Sequence, residues 1–209
     1  MLTRALPSAA VICAALLWSV DGLLRQDLYS LSSLVIVAIE HLLGALIFLP
    51  FLFRSASKIK LLDRKGWISI FWVSICGGLL GTYFYTKALG YVNYIDLSVV
   101  VLIQKLQPLF AISLASIILR EKLSKRFILL ASTAMLGGYL ITFGYKPLLF
   151  LDDKSIIASL FALLASFCWG SSTVLGKTAL KQIPFELVTC IRLIVTGTCL
   201  LYTSPSPRD

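Results

Sequence analysis

The feature that most constrains this chain is the apolar run from Leu97 to Leu119, which contains one charged side chain, Lys105. A run of about 20 apolar residues matches an α-helix that crosses a bilayer. Similar runs recur along the chain. Hydrophobic residues make up 58% of the chain, charged residues make up 14%, and the mean hydropathy is +0.91. The sequence therefore predicts an all-α polytopic membrane protein.

Seven membrane-spanning helices are predicted, joined by short connections that leave no room for a soluble domain. They cover residues 6–24, 32–53, 67–87, 96–119, 127–145, 155–175 and 185–203.

Lys and Arg residues are distributed unevenly between the two ends of these spans. If the N-terminus is cytoplasmic, twelve lie on the inner side and four, Arg25, Lys87, Lys146 and Lys154, lie on the outer side. Because cytoplasmic connections carry the excess of basic residues, this distribution predicts a cell-membrane protein with a cytoplasmic N-terminus. The formal charge of +9 reflects the same bias. Nucleic acid is not an expected partner, since aromatic side chains do not interleave with the basic clusters.

The fourth predicted span carries a polar cluster in its middle, made of Gln104, Lys105, Gln107 and Pro108. Proline has no backbone N–H, so the carbonyl of Gln104, four residues earlier, loses its helical partner. In a membrane, such a carbonyl is tolerated only where neighbouring protein or water supplies a donor. We therefore predict that these four residues lie at a polar cavity near the middle of the membrane, on the path of a substrate or ion.

Four more ionisable residues within predicted spans are candidates for the same pathway, since charges inside a membrane are expensive and usually functional. Glu40 and His41 are adjacent and suit proton binding, although neighbouring residues diverge by about 100° on a helix and only one is expected to face a cavity. Lys105 is either a pathway residue or a structural lysine paired with a carboxylate, and Glu40 is one candidate partner. Asp21 either lines the outer pathway or marks the interface. Arg192 suits an anionic group of a substrate.

An internal repeat relates the first two spans to the last two. Trp18 stands 23 residues before His41, and Trp169 stands 23 residues before Arg192, a shift of 151 residues. The copies are offset by five spans, an odd number, so the second copy is predicted to be inverted relative to the first. Inverted repeats are characteristic of secondary transporters.

The repeat predicts a first unit over residues 1–145 and the start of a second over residues 146–201. Two complete five-span units need ten spans, so the second unit is expected to be incomplete. Residues 202–209 form a polar tail unlike the preceding pattern and are expected to be non-native. A genuine seven-span protein with a polar tail is the alternative.

Small residues predict where helices approach each other closely. Gly77 and Gly81 form a GxxxG pattern in the third span, and Gly137-Gly138 is expected to act similarly in the fifth. The five cysteines all lie in apolar segments without a CxxC pair, so a zinc site or a disulfide framework is not expected. No metal or cofactor is predicted.

Several short motifs occur in a fixed order along the chain. They are Trp18-Ser19 in the first span, Ala88-Leu89-Gly90-Tyr91 after the third, Pro108 in the fourth, Leu119-Arg120-Glu121-Lys122-Leu123 at its end, Gly137-Gly138 in the fifth, and Trp169-Gly170-Ser171-Ser172 followed by Lys177. In this order they resemble an EamA-type domain of the drug/metabolite transporter superfamily and the opening of a second. The resemblance implies two inverted five-helix repeats and a permease or exporter that moves a small metabolite by alternating access. His41 departs from the family pattern, in which arginine is frequent.

The expected partners are a small-molecule substrate and the lipid bilayer, with protons and a homodimer left open. A seven-helix receptor is the alternative by span count, although a retinal protein would need a lysine where the last span offers only Arg192. A structural membrane subunit without transport is a further alternative. An enzyme is not expected, since the chain has no HExxH motif and its one histidine has no matching nucleophile.

Overall fold

The structure is a computed structural model that describes residues 2–28, 30–91, 93–119, 123–143 and 153–203. Within these ranges the chain is helical and contains no β-strand. The helices are α1 (Leu2–Asp27), α2 (Ser33–Ser55), a 3-10 turn (Ala56–Leu61), α3 (Arg64–Trp72), a π-helical segment (Val73–Leu80), α4 (Gly81–Leu89), α5 (Leu97–Gln104), α6 (Gln107–Leu119), α7 (Lys125–Phe143), α8 (Asp153–Leu175), α9 (Lys177–Leu180) and α10 (Phe185–Thr203).

The prediction of an all-α polytopic membrane protein is confirmed. In the described part of the chain, six segments are long and apolar enough to cross a membrane: Ala9–Asp27, Ser33–Leu61, Arg64–Leu89, Leu97–Ile118, Asp153–Leu180 and Phe185–Tyr202. The predicted fifth span falls on α7, a helix of 19 residues. α10 runs through Tyr202 and Thr203, the first residues of the predicted polar tail, and residues 204–209 lie outside the described ranges.

The fourth span is interrupted where the proline predicted it. α5 ends at Gln104 and α6 begins at Gln107, with a turn between them. The hydroxyl oxygen of Ser166 in α8 lies 3.0 Å from the Gln104 carbonyl oxygen and 2.8 Å from that of Ile103. Neighbouring protein therefore supplies the donor that the missing proline N–H cannot, as a membrane environment requires.

α8 and α10 hold the bundle together. α10 packs along α2, and α8 packs on α4, α5 and α6. The core between α4, α5 and α8 centres on Tyr85, Leu89 and Val100, which pack against the small residues Ala162 and Ala165. Alanines on α8 let the neighbouring backbones approach, because packing of small residues replaces the hydrophobic effect within a bilayer.

The glycine predictions have different outcomes in the third and fifth spans. A Cβ on Gly77 would lie 2.8 Å from the Ser172 Oγ atom, and one on Gly81 would lie 2.6 Å from the indole nitrogen of Trp169, so close helix approach is confirmed for both. At Gly137 the prediction is wrong, since a Cβ there would meet no described atom within 4 Å. Gly138 lies outside the residues whose surroundings are described.

A reciprocal contact joins the turn before α3 to the turn before α10. The Asp63 amide donates to Gln182 Oε1 (3.0 Å), and Gln182 Nε2 donates to the Asp63 carboxylate (2.9 Å). Asp63 also caps α3 by accepting from the Gly66 amide at 2.7 Å. The hydrogen bond from the Gly66 amide contributes most to lowering the pKa of the Asp63 carboxyl below its ordinary value, and the hydrogen bond from Gln182 lowers it further.

Candidate functional site

Arg25, in the last turn of α1, joins three helices. Its Nε atom lies 2.8 Å from the Asp21 carboxylate one turn earlier, and its other two nitrogens lie 2.5 Å from the Glu40 carboxylate of α2 and 2.8 Å from the Thr86 hydroxyl of α4. The Arg25 side chain is only 7% exposed, so these partners compensate for the solvation it loses. We refer to Asp21, Arg25 and Glu40 as the charged cluster.

Two sequence interpretations are corrected by this cluster. Arg25 was assigned to an outer connection, but it is buried within α1. Glu40 pairs with Arg25 and not with Lys105, which is exposed in the turn between α5 and α6. The spacing of Asp21 and Arg25, four residues apart, is the helical ion-pair signal that could have identified Arg25 from sequence.

The charged cluster lies beside a cavity of about 410 Å³, bounded by α1, α2, the π-helical segment, α4, α8 and α10. The ionisable side chains that line it are those of Asp21, Arg25, Glu40, His41, Tyr85 and Arg192. Four predicted pathway residues, Asp21, Glu40, His41 and Arg192, thus meet at one cavity. A volume in the range of about 300–1,000 Å³ suits a small-molecule site.

Glu40 and His41 both reach this cavity, although adjacent helical residues were expected to diverge. His41 is nearly fully buried at 2% exposure, and its Nδ1 atom lies 2.9 Å from the Val37 carbonyl oxygen. Because a carbonyl only accepts, Nδ1 carries the hydrogen in this contact, which leaves Nε2 as the atom for a ligand or a proton.

Arg192 differs from Arg25 in having no partner of its own. Its side chain is half-buried, and among the described residues its guanidinium forms neither a hydrogen bond nor an ion pair. Guanidinium N–H groups only donate, so those of Arg192 are available to acceptors on a molecule in the cavity.

Aromatic rings form the wall on the α1, α4 and α8 side of the cavity. The Trp18 and Trp169 rings meet edge to face with centroids 5.6 Å apart, and the Tyr85 and Trp169 centroids are 5.3 Å apart. The Trp169 indole N–H donates to the Gly77 carbonyl at 2.9 Å, which fixes the ring. Such a wall suits the face or edge of a planar ring.

The fourth-span residues lie outside the cavity lining. Gln104 is buried, its Nε2 atom donates to Gln107 Oε1 at 3.2 Å, and its own Oε1 atom has no partner in the described part of the chain. Gln107 in turn donates to the Thr173 hydroxyl of α8 at 3.4 Å. Lys105 and Pro108 are exposed at the helix break, where Lys105 Nζ lies 5.9 Å from the centroid of the Trp18 ring.

Two pairs of positions that the 151-residue shift equates lie at the same cavity. Trp18 contacts Trp169, and His41 and Arg192 line the same cavity. No group of three or more metal-ligating side chains occurs among the residues searched, which are the described ones.

Comparison with known proteins identifies one family and one curated relative. The sequence model of the EamA-like transporter family matches residues 6–143. The riboflavin transporter ImpX of Fusobacterium nucleatum subsp. nucleatum is 41% identical over 199 residues, which cover 93% of this chain and 66% of that protein. This chain thus spans about two thirds of the length of that relative. No solved structure matches the chain.

Proposed function

The chain belongs to the EamA-like transporter family, and from this membership we propose that it carries a small metabolite across the cell membrane by alternating access. The observation that carries the proposal is the cavity where a charged cluster and a free guanidinium face an aromatic wall within a bundle of apolar helices. Buried charges in a membrane mark the path of a substrate or ion. Family and relative point to a transporter rather than an enzyme.

A flavin is the substrate we propose. The relative is named as a riboflavin transporter, and its identity extends over 93% of this chain. The cavity offers what a flavin needs. Trp18, Tyr85 and Trp169 provide aromatic surface for the fused rings, and Arg192 provides N–H donors for ring carbonyls.

The proposed pathway has two parts. The first is the cavity with Asp21, Arg25, Glu40, His41 and Arg192. The second is the helix break at residues 104–108, which adjoins the cavity through the contact of Lys105 with Trp18. A discontinuous helix beside a midplane site is a recurring feature of secondary transporters, since it lets two parts of one span move separately. Glu40 and His41 are the candidates for proton coupling.

For topology we propose a cytoplasmic N-terminus and two inverted repeats, 1–145 and 146 onward. The connections on the same side of the membrane as the N-terminus carry the excess of Lys and Arg, which supports this orientation. The correction at Arg25 removes one basic residue from the outer side and strengthens this bias. The contact of Trp18 with Trp169, and the position of His41 and Arg192 in the lining of one cavity, support a pseudo-two-fold axis at the cavity.

The proposal is tested by uptake of labelled riboflavin into vesicles that contain the protein expressed from its full natural reading frame. We expect saturable uptake, and at least a tenfold loss, equivalent to about 1.4 kcal/mol, in Trp169→Leu. The matched control is Trp67→Leu, since Trp67 is 46% exposed on α3 and does not line the cavity. Riboflavin uptake no greater than in protein-free vesicles would refute the flavin proposal, while equal losses in both variants would remove the cavity from the pathway.

A further inference from the structure

The formal charges that line the cavity cancel. Among the described residues the lining contains two carboxylates, Asp21 and Glu40, and two guanidinium groups, Arg25 and Arg192, while His41 is buried with Nδ1 donating to a carbonyl. The Lys105 ammonium nitrogen lies 5.9 Å from the centroid of the Trp18 ring, but Lys105 is exposed and does not line the cavity. A ligand that brings no net charge therefore leaves the cavity balanced.

The two arginines are placed differently relative to the two acids. Arg25 contacts both carboxylates at 2.8 and 2.5 Å, so its charge is already compensated. Arg192 is close enough to Glu40 to interact with it electrostatically but forms no ion pair with either acid, and its donors have no hydrogen-bond acceptor among the described residues. The cavity thus combines free donors with a nearby pair of acids that face any incoming anion.

We infer that Glu40, with Asp21, determines specificity by admitting a flavin without a phosphate and rejecting its 5′-phosphate. This inference rests on the proposed function. Riboflavin is uncharged near neutral pH, and its ring carbonyls accept hydrogen bonds from Arg192 without adding charge to the cavity. A phosphate monoester brings about −1.5 to −2 charges, which must leave water and approach two carboxylates with one uncommitted guanidinium to receive them. Like charges at short range in a low dielectric disfavour binding steeply.

The test is a competition experiment on the purified protein from its full reading frame, in lipid nanodiscs. Binding of radiolabelled riboflavin is followed by the label retained on the nanodiscs, and two unlabelled competitors are titrated: riboflavin 5′-phosphate, and lumichrome, which is the ring system without its ribityl chain. We expect lumichrome to compete and the 5′-phosphate to bind at least tenfold more weakly than riboflavin, a difference of about 1.4 kcal/mol.

The decisive variant is Glu40→Gln, which keeps the shape of the side chain and removes one negative charge. We expect it to raise the ratio of 5′-phosphate affinity to riboflavin affinity about tenfold. Glu186→Gln is the matched control, because Glu186 is exposed at the start of α10 and does not line the cavity. If Glu40→Gln does not fold, Asp21→Asn removes the other carboxylate from the same cavity and serves in its place.

The possible outcomes separate the two proposals. Equal affinity of the wild-type protein for riboflavin and its 5′-phosphate overturns the charge-balance inference and leaves the flavin proposal standing. So does an unchanged ratio of the two affinities in Glu40→Gln. A wild-type protein that binds no labelled riboflavin refutes the proposed substrate, and the inference falls with it.

Discussion

Removal of the Arg25 guanidinium is expected to weaken the attachment of α1 to α2 and α4. Arg25→Met keeps an unbranched side chain but deletes the hydrogen bonds to Asp21, Glu40 and Thr86. Breaking a fully buried ion pair by removing one partner costs about 3–5 kcal/mol. The carboxylates left behind are 39% and 45% exposed and keep some solvation. We therefore expect a smaller loss, about 2–3 kcal/mol in the free energy of unfolding.

The assay is thermal unfolding of the purified protein in detergent, followed by circular dichroism in the helical band. At about 2–4 °C per kcal/mol for a chain of this size, the midpoint for Arg25→Met should fall by roughly 4–12 °C. The matched control is Lys105→Met, which removes an exposed cation without an ion pair and should stay within about 0.5 kcal/mol of wild type. A midpoint for Arg25→Met no lower than that of Lys105→Met would refute the reasoning.

A double-mutant cycle tests whether the loss comes from the ion pair. In the Arg25→Met background, Glu40→Gln removes a stranded charge, so the double variant should be more stable than the sum of the two single losses by about 1 kcal/mol or more. Strict additivity would mean that the contact with Glu40 contributes nothing and that the loss comes from the contacts of Arg25 with Asp21 and Thr86.

Three further predictions use the same unfolding assay. Ser166→Ala leaves the Gln104 carbonyl at the proline break without its donor and should cost about 1–3 kcal/mol, while an unchanged midpoint would show that water replaces the hydroxyl. Gly81→Ala places a Cβ 2.6 Å from the indole nitrogen of Trp169 and should destabilise the bundle. Gly137→Ala meets open space and should be neutral or gain up to about 1 kcal/mol from helix propensity. Equal effects at the two sites would contradict this difference in packing. Asp63 has a lowered pKa, so its stabilising contribution is complete above the unfolded-state pKa of about 3.9 and is lost as pH falls through the folded-state pKa. Asp63→Asn should therefore flatten the fall of the midpoint between about pH 5 and pH 2, and an unaltered pH profile would show that other carboxylates cause it.

The helix break in the fourth span was predictable because its cause is local. A proline removes one donor at a known position, and the orphaned carbonyl is always four residues earlier. The identity of the replacement donor was not predictable, since Ser166 comes from a helix about sixty residues away in sequence. The sequence thus predicts that the Gln104 carbonyl lacks its helical donor, but only tertiary packing determines that Ser166 replaces it.

The partner of Glu40 shows the limit of reasoning from single residues. Sequence indicated that a carboxylate within an apolar span needs a cation, and Arg25 and Lys105 were both available. The choice between them depends on which helices are neighbours, which hydropathy does not encode. Arg25 was overlooked because the first span was ended one residue before it, whereas the helix continues through Asp27. Span boundaries are the least reliable part of such predictions.

The internal repeat stays a prediction, and it equates Trp18 with Trp169 and His41 with Arg192. The Trp18 and Trp169 rings are in contact, and His41 and Arg192 line the same cavity. Sequence alone could not place these residues at one site, because a shift relates positions without giving the distance between them. The glycines of the fifth span illustrate the converse. Gly137 fits a packing pattern but has no neighbour in the described structure.

The π-helical segment at Val73–Leu80 separates two parts of the third span, α3 and α4. Its Ser74 carbonyl accepts a hydrogen bond from Thr196 of α10, and its Gly77 carbonyl accepts one from Trp169 of α8. Two other helices therefore hold this segment in place. If the turns of this segment tightened to α-helical pitch, α4 would rotate about the helix axis relative to the two hydrogen-bonded carbonyls. The Thr86 hydroxyl would then turn away from Arg25. A change of helical pitch in the third span would thereby alter the surroundings of the ion pair between Arg25 of α1 and Glu40 of α2.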